Sequence, residues 1–273
     1  MEIRKIWAVY FSPTGGTKRI TRMIAEQIGE RLQKEVCEID YTKREQREKA
    51  CHFGQEDLVV FGVPVYAGRI PNKVLPDIEK GVRGDNTALI PVAAYGNRSF
   101  DDALMELKTV LEKQGFCPLA AAAVVSRHAF SNLLAADRPD GDDRKEILAF
   151  AGEAAEKLKR DDALPPLSVA GNDPVGGYYV PLQEDGTPAR FLKAKPVTDN
   201  SKCDGCGICA EVCPMDSIDR ADYSLVPGIC IKCQACIKGC PAGAKSFTDK
   251  QFLSHVRMLE ENYSRRTENC FFL

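Results

Sequence analysis

Eight cysteines between Cys203 and Cys240 repeat one pattern twice. Cys203, Cys206, Cys209 and Cys213 form the run C-x2-C-x2-C-x3-C-P that ends at Pro214, and Cys230, Cys233, Cys236 and Cys240 repeat it up to Pro241. Three thiolates at two-residue intervals can wrap one corner of an iron–sulfur cubane. A tight loop brings three sulfurs to three irons while its amides face the sulfides. The fourth cysteine, three residues on and before a proline, is directed away. Paired C-x2-C motifs also build zinc sites, but tetrahedral zinc takes four ligands and has no use for this longer pattern, twice over. Gly205 and Gly207 fit a close approach of backbone to cluster.

A second constellation lies near the other end. Phe11-Ser12-Pro13-Thr14-Gly15-Gly16-Thr17 closes an apolar run and opens an amphipathic one. Hydroxyls and glycine amides at a helix N-terminus make an anion site, because unpaired N–H groups and the helix dipole both favour a phosphate. The loop has neither the Walker A spacing nor the G-x-G-x-x-G fingerprint. An N-cap with a glycine turn would account for one hydroxyl, hardly for Ser12, Thr14 and Thr17 beside Gly15 and Gly16.

Both constellations need a frame. Ile6 to Phe11, Leu58 to Phe61 and Leu119 to Val125 are apolar on both faces, as buried parallel strands are. Between such runs, Thr17 to Leu32, Pro71 to Lys80, Asp101 to Gln114 and Asp142 to Lys159 read as helices. Strand followed by helix, about five times over, predicts right-handed crossovers and a doubly wound α/β sheet. The fourth strand, Ala88 to Tyr95, contains Pro91; lacking a ladder donor, it should start at or near that proline. Asp101 and Asp102 are placed to cap the helix that follows. Residues 163–198 lose all periodicity and are rich in Pro and Gly, yet Tyr178, Tyr179, Val180, Leu182, Phe191 and Leu192 predict a strap packed on one or both neighbours. The division expected is therefore 1–162, the strap 163–198, the cysteine-rich unit 199–249, and a helix with tail over 250–273. The cysteine-rich unit has too few large apolar side chains for a core of its own, so something inorganic should fill it.

The cysteine unit resembles bacterial ferredoxins that carry two 4Fe-4S clusters, at all eight ligand positions. In such proteins each fourth cysteine ligates the other cluster. The resemblance thus implies one cluster on Cys203, Cys206, Cys209 and Cys240 and a second on Cys213, Cys230, Cys233 and Cys236. The loop at Ser12, Thr14, Gly15 and Thr17 resembles the flavodoxin phosphate loop S/T-x-T-G-x-T, which holds the FMN phosphate without a basic side chain. That likeness implies a flavodoxin-like, five-stranded parallel sheet beside a small α+β ferredoxin-like domain. It also implies FMN at Ser12, Thr14, Gly15, Gly16 and Thr17.

Two more segments fall where such a sheet puts its flavin, outside the carboxyl ends of the strands. Pro64-Val65-Tyr66-Ala67-Gly68 and Tyr95-Gly96-Asn97 look like the flavin-contacting loops of flavodoxins, with Tyr66 where that family commonly has Trp. Either Tyr66 or Tyr95 would supply an aromatic wall, and Ala67, Gly68, Gly96 and Asn97 backbone contacts to the polar edge. Arg69 and Arg98 face the flavin or solvent on this reading, and His128 is a loop histidine near its mouth.

The whole chain resembles bacterial flavodoxin-like proteins fused to a C-terminal two-cluster ferredoxin. The function this implies is an intracellular electron-transfer flavoprotein that exchanges electrons between FMN and the clusters and meets redox proteins as donor and acceptor. The alternatives are a flavin reductase of a small acceptor such as a quinone, and a regulatory or binding module with structural clusters. A net charge of −2, with 37 Lys+Arg against 39 Asp+Glu, leaves no basic surplus for nucleic acid. No apolar run approaches the roughly 18 to 20 residues of a spanning helix. Metal-spaced cysteines without a signal h-region point to a reducing cytoplasm. Cys37, Cys51, Cys117 and Cys270 read as small hydrophobes, Cys270 being the one exposed candidate. Nothing in the sequence speaks to oligomeric state.

Overall fold

The computed structural model describes residues 2–159 and 166–273, so the boundary expected at 162–163 lies outside the described residues. The N-terminal part runs β1 (Lys5–Tyr10), α1 (Gly16–Leu32), β2 (Glu35–Asp40), α2 (Arg44–Arg47), β3 (Cys51–Phe53), β4 (Asp57–Pro64), α3 (Leu75–Gly81), β5 (Val82–Gly84) and β6 (Thr87–Tyr95). It continues with α4 (Ala103–Lys113), β7 (Phe116–Pro118), β8 (Ala121–Val125) and α5 (Gly141–Lys159). After the strap come β9 (Val197–Thr198), α6 (Ile208–Glu211), α7 (Ala235–Lys238), β10 (Lys245–Ser246), α8 (Lys250–Asn262) and β11 (Cys270–Phe272).

The main sheet has the order β11-β8-β6-β4-β1-β2, with β7 beside β6. Every pairing in it is parallel except β11 on β8. Numbered among themselves, the five strands β1, β2, β4, β6 and β8 stand 2-1-3-4-5, the flavodoxin-like doubly wound order. Alternate side chains leave by opposite faces. Leu58 and Val60 pack with Ile20, Ile24 and Ile28 of α1 and Ala151 of α5, while Val59 and Phe61 pack with Ile78 of α3 and Leu107 of α4. Gly62 lets α1 close onto β4, since a Cβ there would meet Thr21 Oγ1 at 2.0 Å.

Three expectations are corrected. Pro91 does not start its strand; β6 begins at Thr87, and all nine of its residues are buried. The proline is tolerated because it falls where one neighbour stops and the next begins: β7 pairs with Thr87 to Leu89 and β8 with Val92 to Tyr95. The sheet is also not limited to five parallel strands. The tail returns as β11, antiparallel to β8, so Cys270 sits in a ladder opposite Ala123 and is only partly exposed. Finally, Asp102 makes no side-chain cap to α4. Its carboxylate instead accepts from the amides of Asn172 and Gly176, both at 2.8 Å, and so ties down the strap. Burial opposes its ionisation, but those bonds prevail and hold its pKa below the ordinary carboxylate range.

The strap packs on both neighbours, although Val180 and Leu192, expected to help, are exposed. Leu167 and Val169 join Ala103 and Leu104 in one apolar cluster, and Ala189, Phe191 and Ala194 join Phe247 and Phe252 in another. Among the described residues, no helix is long and apolar enough to cross a membrane.

Candidate functional site

The carboxyl ends of β1, β4, β6 and β8 converge on one edge, at the point where strand order reverses between β1 and β4. At the first of these ends Gly15 adopts φ 86°, a left-handed conformation suited to glycine, and α1 begins at Gly16. A helix leaves its first amides without intrahelical partners. Here Arg19 N is taken by Gly15 O at 3.0 Å and Lys18 N by Ser12 Oγ at 2.9 Å. The amides of Gly16 and Thr17 have no protein acceptor among the described residues. Nothing lies within 4 Å of where a Cβ on Gly15 would project. Free amides, the hydroxyls of Ser12, Thr14 and Thr17 and an open approach make a donor set that fits a phosphate.

In the second loop Tyr66 and Arg69 exchange backbone bonds of 2.9 and 3.1 Å across a tight turn, with φ 49° at Ala67 and 79° at Gly68. Val65 N bonds Ala94 O at 2.8 Å, which ties this loop to β6. Arg69 is largely held by the protein: it pairs with buried Glu106, donates to Gly176 O and lies over the Tyr178 ring. Arg98 likewise pairs with Asp101 and lies over Tyr179 at 4.1 Å. Tyr179 N donates to Ala67 O at 2.8 Å, so the strap crosses directly over this loop.

The third loop is gripped by the tail. Asn97 Nδ2 donates to the carbonyls of Tyr263 (2.5 Å) and Arg265 (2.7 Å), and the Tyr95 hydroxyl donates to Glu268 O at 2.6 Å. Tyr95 is buried edge-on against Phe100, 5.4 Å between centroids. Tyr66 is thus the less committed aromatic. His128, whose partner could not be read from sequence, lies in the loop after β8. It packs against Gly96, accepts from Phe130 N at Nδ1 (3.1 Å) and lies 5.4 Å from the Phe130 ring.

Burial, with His255, Lys238 and Arg98 nearby, lowers the His128 pKa from 6.5 to about 3. The folded chain therefore refuses a proton that the unfolded chain accepts below about pH 6.5. Stability is complete above that pH and falls between 6.5 and 3, by up to about 1.4 kcal/mol per pH unit for one proton. In His128→Gln, chemical denaturation followed from pH 7 to 4 should show a shallower acid-side loss.

The two cysteine runs share three left-handed backbone positions. Left-handed φ recurs 27 residues apart at Gly205 and Lys232 (74° and 57°), Gly207 and Gln234 (76° and 67°), and Asp216 and Gly243 (49° and 59°). The second copy thus adopts with Lys232 and Gln234 a shape that favours glycine. In each copy an amide bonds the fourth sulfur: Ser217 N to Cys213 Sγ at 3.4 Å, and Ala244 N to Cys240 Sγ at 3.3 Å. Cys213, Cys230, Cys233 and Cys236 line one cavity. Burial pushes Cys233 well up and Cys236 up to about 12, each raised further by other thiols of that set. Cys209 is raised by burial, and Cys203 and Cys240 lie near enough to add to it. Thiols so placed become ligands only where metal charge compensates the thiolate. Zinc would draw four sulfurs to about 2.3 Å from one point. Thiols arranged around a space fit a polynuclear cluster.

Residues 196–219 and 227–243 match two families, each described as a 4Fe-4S binding domain. The C-terminal unit is a 4Fe-4S ferredoxin domain. Several solved structures are similar over part of this chain. One is a flavodoxin from the domain Archaea, with 15% identity over 57% of this chain and 99% of that one, TM-score 0.38. Another is the Streptococcus pneumonia TIGR4 flavodoxin, with 18% identity over 56% and 99%, TM-score 0.40. A third is rubredoxin oxygen:oxidoreductase from the anaerobe Desulfovibrio gigas, with 17% identity over 58% and 38%, TM-score 0.38. Comparison with curated proteins gave no match.

The ferredoxin domain meets the flavodoxin-like domain at the edge where the strand ends converge. Arg47 Nη2 donates to Pro214 O at 2.7 Å, Lys238 Nζ donates to His128 O at 3.0 Å, and Ile231 packs into the apolar cluster of Phe11 and Phe61. Tyr66 lies close enough to Cys233 and Cys230 for their charge, after burial, to help hold its hydroxyl protonated. Neither Arg47 nor this contact had a signal in the sequence, because the partners lie far along the chain.

Proposed function

We propose that this chain passes electrons between FMN at the Ser12–Thr17 loop and two 4Fe-4S clusters. One cluster is held by Cys203, Cys206, Cys209 and Cys240, the other by Cys213, Cys230, Cys233 and Cys236. The observation that carries the reading is the contact of the cysteine unit with the Phe11 side of the sheet: Ile231, between Cys230 and Cys233, packs with Phe11 and Phe61, and Arg47 donates to Pro214 O, next to Cys213. FMN would supply the exchange between two-electron and one-electron chemistry. Ser12, Thr14 and Thr17, with the amides of Gly16 and Thr17, bind the phosphate. Pro64, Val65, Tyr66, Ala67 and Gly68 form one wall, and Tyr95, Gly96 and the amide of Asn97 stand behind the other. The strap crosses the loop at Ala67, where Tyr179 N donates to Ala67 O at 2.8 Å. Electrons then enter and leave through redox proteins of the cytoplasm.

Anaerobic purification with iron, sulfide and flavin counts tests the reading, followed by graded reduction watched by absorption. It expects iron for two clusters and one FMN per chain, both reduced together. A colourless zinc protein, or a flavin that stays oxidised beside reduced clusters, overturns it. Replacing Thr14 and Thr17 by Val should weaken FMN binding about 100-fold, because two hydrogen bonds to a charged group contribute about 3 kcal/mol together. Iron content should not change; fluorescence titration of FMN and an iron assay read the two quantities separately.

A further inference from the structure

We propose that the two clusters are unequal in position: the set Cys213, Cys230, Cys233 and Cys236 is the flavin-side one, and Arg47 is the positioning residue that seats it on the phosphate loop. This rests on the reading above for the flavin, while the position of Arg47 stands on contacts of the chain itself.

Two contacts between the domains fall on one cysteine set, while Lys238, which donates to His128 O at 3.0 Å, stands midway between Cys236 and Cys240 of the two sets. Pro214, directly after Cys213, accepts from Arg47. Ile231, between Cys230 and Cys233, enters the flavodoxin-like core. By contrast, Cys206 is exposed beside exposed Asp204 and Gly205. The bonds around it stay local: Cys206 N to Asp204 Oδ1 at 3.1 Å, and Cys203 N to Asp199 O at 3.0 Å. A further link across the domains is a loose pair of exposed side chains, Lys43 and Glu211 at 3.9 Å, of a kind that contributes little.

Arg47 joins the two sites through hydrogen bonds. Its side chain is 2% exposed and lies over the Phe11 ring, the residue before the phosphate loop. Nε donates to Asp77 Oδ2 at 2.8 Å, Nη1 donates to Thr42 O, and Nη2 donates to Pro214 O. Thr42 Oγ1 in turn accepts Ser12 N at 2.8 Å, and Ser12 Oγ accepts Lys18 N. An arginine keeps its charge in any protein site, and Asp77 is 39% exposed, so water screens its compensation. The guanidinium therefore favours the more negative, reduced form of the nearer cluster, since local charge is one of the levers on cluster potential.

The test follows hyperfine-shifted cysteine β-protons, assigned residue by residue, in cluster-loaded protein. Arg47→Met should move electron occupancy from the Cys213 set to the Cys203 set about tenfold, equivalent to about 59 mV for a one-electron couple. Arg47→Lys should restore most of it. Adding FMN to flavin-free wild-type protein should shift the resonances of Cys213, Cys230, Cys233 and Cys236 and leave those of Cys203, Cys206 and Cys209 in place. Equal movement of both sets, or movement of the Cys203 set alone, overturns the proposal in either arm. If Arg47→Met does not load iron, the FMN arm decides; if FMN does not bind, the functional reading falls and the Arg47 arm still decides.

Discussion

Cys240→Ala is expected to halve the iron and sulfide per chain by emptying the Cys203, Cys206 and Cys209 site, although Cys240 lies in the other run. α6 and α7 pack against each other, and the crossed assignment has each run give its last cysteine to the other cluster. Cys209 feels Cys203 and Cys240, whereas Cys213 acts on Cys233 and Cys236 from the opposite run. The mirror substitution, Cys213→Ala, should empty the other site. Electron paramagnetic resonance of the reduced variants then shows one cluster signal each, differing between the two. If Cys240→Ala spares the Cys203 site and empties the one in its own run, the crossed assignment is wrong. Either cluster loss should also remove the magnetic coupling between the two centres.

What could be read from the sequence is what short-range chemistry specifies. The cysteine spacing and the Ser12–Thr17 loop are each complete within a dozen residues, and the apolar runs mark β1, β4 and β8 because parallel strands bury both faces. Pro91 misled because a rule about ladder donors says nothing of where a neighbouring strand ends. Asp102 looks like a cap by position, but its partners are Asn172 and Gly176, 70 and 74 residues on. Arg47 stands in the charged run Lys43 to Lys49, which reads as a solvated face, and the carbonyl that buries it is 167 residues away. Such contacts are fixed by the packing of whole domains, which local pattern does not encode.

The tail shows the same principle with the largest consequence for stability. Cys270-Phe271-Phe272 has no sheet partner within reach in sequence, yet it covers the open edge of β8, whose five residues are all buried. Removing residues 264–273 would expose that edge and undo the stacking of Phe271 on Phe150, 4.9 Å between centroids. It would also strip acceptors from Tyr95, which loses Glu268 O, and from Arg138, which loses Thr267 O, while Asn97 loses Arg265 O but keeps Tyr263 O. Apolar burial at about 1.5 kcal/mol per ring and about 1 to 3 kcal/mol per orphaned group sum to about 5 kcal/mol or more. That rivals the whole stability of a typical domain. The truncated chain should melt well below the full chain and aggregate through the bare strand, measured by circular dichroism and light scattering. Asn269→Ala, which removes the acceptor of Val125 N at 2.9 Å, should reproduce a smaller part of the loss. Because Asn97 and Tyr95 belong to the third loop, FMN affinity should fall with the tail while iron stays bound. Unchanged melting with unchanged flavin affinity would show that the sheet closes without its last strand.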